Sequence, residues 1–161
     1  MTSRSIQKIQ HYTINAKTLM ICPDVDPHQC LIYEGEDLYL CESTSFNIVD
    51  QSCISRGTTL DGRRQAVKSI LENKHKPPIP IDTEKGLIFM PTKIMRDVEC
   101  AWISYNHLHK VDAHPSDPSI SNITFANGLT YEAIVSKKQL TKQIVMAGHV
   151  FGHFKKGSFL G

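Results

Sequence analysis

A chain of 161 residues, 40% hydrophobic and 21% charged, has the make-up of one globular domain large enough to bury a core without disulfide or metal support. No apolar run approaches the roughly 20 residues of a bilayer span, and "MTSRSIQKIQHY" has no apolar segment of the signal-peptide kind; a cytoplasmic protein without membrane partners is expected. The formal net charge of +2 singles out no partner by itself.

In chain order, the first third is acidic. Between Lys17 and Arg56 there is no lysine or arginine, while Asp24, Asp26, Glu34, Glu36, Asp37, Glu42 and Asp50 lie in that interval. Within it, "CLIYEGEDLYLC" (30–41) has two short apolar runs around "EGED" and predicts a hairpin, and "SFNIV" (45–49) reads as a further strand. From Arg56 to Lys76 the charge reverses. In "TTLDGRRQAVKSILENK", Thr58 with Asp61 resembles a capping box, and Ala66, Val67, Ile70 and Leu71 recur at helical spacing. Arg64 and Lys68, four apart, share a side of that helix, and Gly62 weakens its first turn.

"KPPIPID" (76–82) is expected to be extended, because each proline fixes φ and turns its predecessor away from the helix. "GLIFMP" (86–91) predicts a strand, and Trp102 in "CAWISYN" alternates with apolar neighbours as a core strand residue does. "HPSDPS" (114–119) is a loop. "ITFANGLTYEAIV" (123–135) predicts a hairpin, since Asn127-Gly128 supplies the two positive-φ residues of a two-residue turn. With so tight a turn, Ile123 and Phe125 would face away from Leu129, Tyr131, Ala133 and Val135, so either the register carries a bulge or both faces are covered. In "SKKQLTKQIVMAGHVF" (136–151), Ser136 and Gln139 form a capping box before a stripe of Leu140, Ile144, Ala147 and Phe151. The elements sum to an α+β, β-rich single domain over 1–161, of antiparallel strands with two amphipathic helices.

Few residues point to catalysis. Cys22, Cys30, Cys41, Cys53 and Cys100 are an odd number at irregular spacings, expected as reduced and mostly buried thiols. Cys53 or Cys100 could be paired on paper with His107 or His109, but no local motif marks an activated thiol. There is no C-x-x-C, and "NHLHK" offers only an i, i+2 histidine pair, so no metal is expected. Gly57 and Gly62 lack the companions of a phosphate-binding loop. Hence neither catalytic residues nor a cofactor are expected. Basic residues remain: Arg56, Arg63, Arg64, Lys68, Lys74 and Lys76, then Lys137, Lys138, Lys142, Lys155 and Lys156 with no acid after Glu132, a pattern that points to a basic face for an anionic partner.

The strings "IVDQSC", "GRR", "HKPPI", "IFMPT", "CAWIS" and "ITFANG", in that order and at compatible spacing, resemble the ComK family of competence transcription factors of Gram-positive bacteria, over roughly residues 12–145. The resemblance implies a sequence-specific activator of DNA-uptake genes. It implies binding to paired A/T-rich promoter boxes, largely through the minor groove, as a dimer that pairs into a tetramer, and control by an adaptor-linked Clp protease. Narrow A/T-rich minor grooves carry an enhanced negative potential that attracts inserted arginine and lysine. The DNA-contact candidates are therefore Arg56, Arg63, Arg64, Lys68, Lys74, His75 and Lys76, with Lys137, Lys138 and Lys142. The double proline beside Lys74, His75 and Lys76 lowers the entropy lost on ordering those cations.

One departure stands against the family pattern. Its members continue in a longer, basic and polar tail that includes the adaptor-recognised segment, whereas this sequence ends at "FKKGSFLG". Weaker adaptor-linked proteolysis and a shallower salt dependence of DNA binding are the corresponding expectations. The alternative is a ComK-like interaction module that has lost DNA binding and modulates a full-length relative.

Overall fold

Strand β2 (Thr18–Pro23) carries the logic of the architecture, because its side chains alternate between two hydrophobic cores. Ile21 packs with Ile32, Phe89 and Trp102 on one face of a sheet, and Met20 and Cys22 pack with Ile88, Met90 and Ile103 on the other. A strand covered on both faces reads as an unbroken apolar run, as "TLMIC" does. The structure is a computed structural model that describes residues 4–72 and 76–160.

The sheet has seven strands. With β1 (Ile6–Ile9), β3 (Cys30–Glu34), β4 (Asp37–Cys41), β5 (Ile79–Asp82), β6 (Leu87–Pro91) and β7 (Trp102–Ser104), the order is β1-β4-β3-β2-β7-β6-β5. Every pairing is antiparallel except β1 with β4. The expected hairpin over 30–41 is β3–β4, closed by Gly35 at φ 54° and Glu36. A second sheet of β8 (Leu108–Ala113), β9 (Ser121–Phe125) and β10 (Thr130–Ala133), in the order β10-β9-β8, lies over the second core.

Three helices are present among the described residues where the sequence predicts two. "SFNIV" is not a strand but the start of α1 (Ser45–Ile54). Thr44 caps it, its hydroxyl accepting from the Asn47 N–H at 3.2 Å, and Ile48, Val49, Ser52 and Cys53 bury one helical face. Two β-branched residues in a five-residue window mimic a strand, and the helical period emerges only over the next four positions.

Helix α2 (Leu60–Leu71) begins one residue later than the predicted box: Thr59, not Thr58, accepts from the Gly62 N–H, at 3.0 Å. It places Leu60 in the first core and Val67 in the second, and it packs on β5. Helix α3 (Lys137–Leu160) starts as expected, the Ser136 hydroxyl accepting from the Gln139 N–H at 3.1 Å. Leu140, Ala147 and Val150 are fully buried, and Ile144 and Phe151 pack at the margin of the same core.

The β9–β10 hairpin resolves the expected conflict of faces. Tyr131 pairs with Ile123 and Ala133 with Ser121, and the Phe125 N–H donates to the Leu129 carbonyl at 2.8 Å, so the loop has three residues rather than two. Gly128 at φ 91° absorbs the extra residue, and Ile123, Phe125, Tyr131 and Ala133 share the core face.

Candidate nucleic-acid interface

Two of the expected contacts, Lys74 and His75, lie outside the described residues. The other eight fall in three places: on α2, at and near the start of α3, and in a polar pocket at the end of β5.

Helices α2 and α3 pack against each other, and each lies against β5, at one edge of the large sheet. From β5 the order runs β6, β7, β2 and then the β3–β4 hairpin, so the sheet sets Glu34, Glu36 and Asp37 apart from the helix edge, whereas Asp50 of α1 stays beside α2, accepting from the Leu60 N–H at 2.9 Å. Glu34 is further occupied by the Tyr12 hydroxyl at 2.6 Å and the Asn15 amide at 3.1 Å, and Glu36 by Arg4 at 3.7 Å.

On α2, Lys68 is exposed and Arg64 partly so, four residues apart on the flank that also carries Leu71. Leu71 packs into the core shared with Leu140 and Ala147, which turns this flank towards α3. The one carboxylate of α2, Asp61, is held at 2.6 Å by Arg96, whose guanidinium also lies 4.5 Å from the centre of the Phe46 ring. Sequence reading missed Arg96, and no local signal could have revealed it, since its partner is 35 residues away.

On α3, Lys137, Lys138 and Lys142 are all exposed, and the helix contains no carboxylate. Lys138, Lys142, Val145 and His149 recur at three- and four-residue steps along its solvent face. Lysine in a first turn works against the positive end of the helix dipole, by about 0.3–1 kcal/mol for a charge at low salt, so Lys137 and Lys138 stand where an anion is wanted. The helix is held in place by Gln143, 2% exposed, whose amide donates to the Pro91 carbonyl at 2.6 Å and to the Lys76 carbonyl at 3.1 Å. Lys76, itself half-buried, is thereby tied to the turn of α3 that presents Lys142. Farther along, Lys155 folds back, its ammonium donating to the Glu84 carbonyl at 3.3 Å and standing 5.7 Å from the Phe151 ring centre. Gly86 (φ 69°) permits this close packing, since a Cβ there would meet Phe151 at 2.7 Å.

The third group has a different character. Arg56 donates to Asp82 at 3.0 Å, to the Ser52 carbonyl at 3.0 Å and to the Ile14 carbonyl at 2.7 Å, and its side chain is 18% exposed. Its donors are spent on joining α1, β5 and the chain before β2. Burial alone would push the Asp82 carboxyl up; the Lys85 N–H and the Arg56 guanidinium outweigh it and hold that group below the ordinary carboxylate range. Arg63 faces the same small pocket as Arg56, Asp82, Thr83 and Glu84, and its Nε is buried without a hydrogen-bond partner among the described residues.

The groups that could have carried other chemistry are placed differently. All five cysteines are buried and unpaired; burial pushes the thiols of Cys53 and Cys100 up to about 11 and those of Cys22 and Cys30 up to about 12, the reverse of an activated nucleophile. The His107 ring lies 2.6 Å from the Ala16 carbonyl, and a register shift between Leu108 and Lys110 sets His109 apart from it. Among the described residues, no three His, Cys, Asp or Glu side chains gather as metal ligands would. Trp102 is fully buried in the first core. No helix among the described residues is long and apolar enough to cross a membrane.

The family model described as "ComK protein" matches residues 9–157. A competence transcription factor of Bacillus subtilis (strain 168) is 27% identical over 146 residues, a stretch covering 89% of this chain and 75% of that protein. No solved structure matches. With the family model spanning nearly the whole of the two sheets and three helices, the chain belongs to the ComK family.

Proposed function

We propose that this chain is a ComK-type transcription factor that binds double-stranded DNA through the exposed cations of α2 and α3. The observation that carries the reading is the charge of α3: Lys137, Lys138 and Lys142 stand on its solvent side with no carboxylate anywhere in the helix, and Arg64 and Lys68 lie on the neighbouring helix. Phosphate contacts from such residues fix position and supply affinity, and an arginine or lysine entering a narrow A/T-rich minor groove adds preference. Similarity to a protein called a competence transcription factor supports the transcription-factor class, to which the reading adds A/T-rich promoter boxes ahead of DNA-uptake genes as the target and a dimer or tetramer as the bound form. Nothing in the reading requires a cofactor or a catalytic step.

Within the candidate set, the packing favours Arg64, Lys68, Lys137, Lys138 and Lys142 as direct contacts; Lys74, His75 and Lys76 stay in the proposed set by their place in the sequence after α2. Arg56 is better suited to holding the scaffold, because engaging DNA would break three internal hydrogen bonds. A gel-shift titration with an A/T-box duplex and a scrambled duplex of equal composition tests the proposal. Preferential binding of the box, falling steeply with salt, is expected. Absence of binding at every ionic strength, together with mixed oligomers formed with a longer relative, would move the reading to an interaction module.

A further inference from the structure

A groove of about 330 Å³ opens at the second core, between the large sheet and β10. Met20, Cys22, Ile103 and Ala133 form its floor. Its lips are Val25, 100% exposed, and Ile134, 70% exposed. Large aliphatic side chains held in water at the mouth of an apolar groove mark a surface that another chain covers. Strand β10, with Tyr131 and Ala133, and Ile134 just after it form one wall; among the described residues β10 pairs only with β9, so its outer edge offers unpaired backbone groups.

The charge at the mouth identifies the kind of partner. The lining carries Asp24, Glu99 and Lys93, and Lys93 is already paired with Glu99 at 3.5 Å, which leaves a net negative rim. A second copy docking through the same patch about a two-fold axis would set one net negative rim against another, an arrangement that costs affinity. An extended segment with alternating apolar and basic side chains meets both requirements. Its backbone adds to the edge of β10, its apolar residues enter the groove beside Val25 and Ile134, and its lysines or arginines meet Asp24 and Glu99.

We infer that the groove between β10 and the large sheet is a docking site for a basic, apolar peptide segment of another protein, bound as an added β-strand. Nothing in the DNA reading uses these residues, so the two stand or fall separately.

Fluorescence anisotropy with a labelled peptide of alternating valine and lysine, and with alternating valine–glutamate and serine–lysine peptides of equal length, tests the inference on the whole chain. The valine–lysine peptide is expected to bind at least tenfold more tightly than either control. Val25→Ser and Ile134→Ser, both at exposed positions and checked for unchanged circular dichroism, should each weaken it at least fivefold, and Asp24→Asn should weaken it and flatten its salt dependence. Equal affinity for valine–lysine and serine–lysine peptides, or affinity untouched by Ile134→Ser, would overturn the proposal in favour of unspecific attraction. Failure of the valine–lysine peptide to bind, or self-association of the chain abolished by Ile134→Ser in sedimentation, would also overturn it, the latter in favour of an interface between copies.

Discussion

Arg56 and Asp82, 26 residues apart, meet at 3.0 Å with side chains only 18% and 15% exposed, and the same guanidinium bonds the carbonyls of Ser52 and Ile14. An arginine that spans three segments in this way is part of the fold. Removing it leaves Asp82 half-buried without its charge partner and two carbonyls short of a donor. Arg56→Ala should therefore cost about 2–4 kcal/mol in chemical denaturation. Arg56→Lys should recover little, because an ammonium cannot reach three acceptors in a planar fork. The pH dependence follows from Asp82, whose carboxyl is held below its ordinary value. Its stabilisation is fully present above the unfolded pKa of about 3.9 and is lost as pH falls through the lower folded value. The stability gap between wild type and Arg56→Ala should thus be constant near neutrality and narrow below about pH 4. A gap that does not change down to pH 2 would remove Asp82 from the account.

Arg64 and Lys68 make the opposite case, since neither donates a hydrogen bond or forms an ion pair among the described residues. The double variant Arg64→Ala/Lys68→Ala should stay within about 0.5 kcal/mol of wild type in stability. Its affinity for an A/T-rich duplex should fall, and the slope of log affinity against log salt should drop by roughly 0.9 for each phosphate that is no longer neutralised. Unaltered affinity and slope would take α2 out of the interface.

These two cases mark where sequence reading succeeds. Periodicity located α3 and most of α2, because their apolar positions and capping hydroxyls lie within a few residues of one another. It mistook α1 for a strand where Ile48 and Val49 stand side by side, and at Asn127-Gly128 it left open a bulged register or two covered faces, which the three-residue loop closed by Gly128 decides. The register depended on which side of β9 the core lay, a tertiary fact. Charge runs exposed the basic region but treated all its members alike. What separates Arg56 from Arg64 is the distant Asp82, and what neutralises Asp61 is the distant Arg96; neither partner is marked by composition or spacing.

Gln143 tests whether the placement of α3 matters to its lysines. Its amide joins the carbonyls of Pro91 and Lys76 from a buried position. Gln143→Leu keeps the volume while leaving both carbonyls without that donor, a loss of about 1–3 kcal/mol. If the segment at Lys76 and the α3 surface act together, DNA affinity per folded molecule should fall as well. A stability loss with undiminished affinity would confine Gln143 to the scaffold.

Burial of all five thiols, with those of Cys53 and Cys100 pushed up to about 11, predicts negligible alkylation of the native chain at pH 8 and complete alkylation once it is unfolded. Mass spectrometry before and after denaturation reads both. A cysteine modified rapidly in the native state would reopen the case for a reactive thiol.

Lys137 and Lys138 allow function and stability to be separated by sign. They occupy the first turn of α3, where the helix dipole disfavours cations and favours carboxylates. In Lys137→Glu/Lys138→Glu the isolated protein should become more stable, by about 0.3–1 kcal/mol for each position at low salt, with the gain shrinking as salt is added. Binding to an A/T-rich duplex should weaken sharply, because two cations near the phosphates become two anions. A surface kept for solubility alone would show the first effect without the second. Thermal unfolding and gel-shift titration of the same preparation at two salt concentrations measure both. The opposed outcome, a firmer fold with poorer DNA binding, is what a helix end kept unfavourable for the sake of an anionic partner requires.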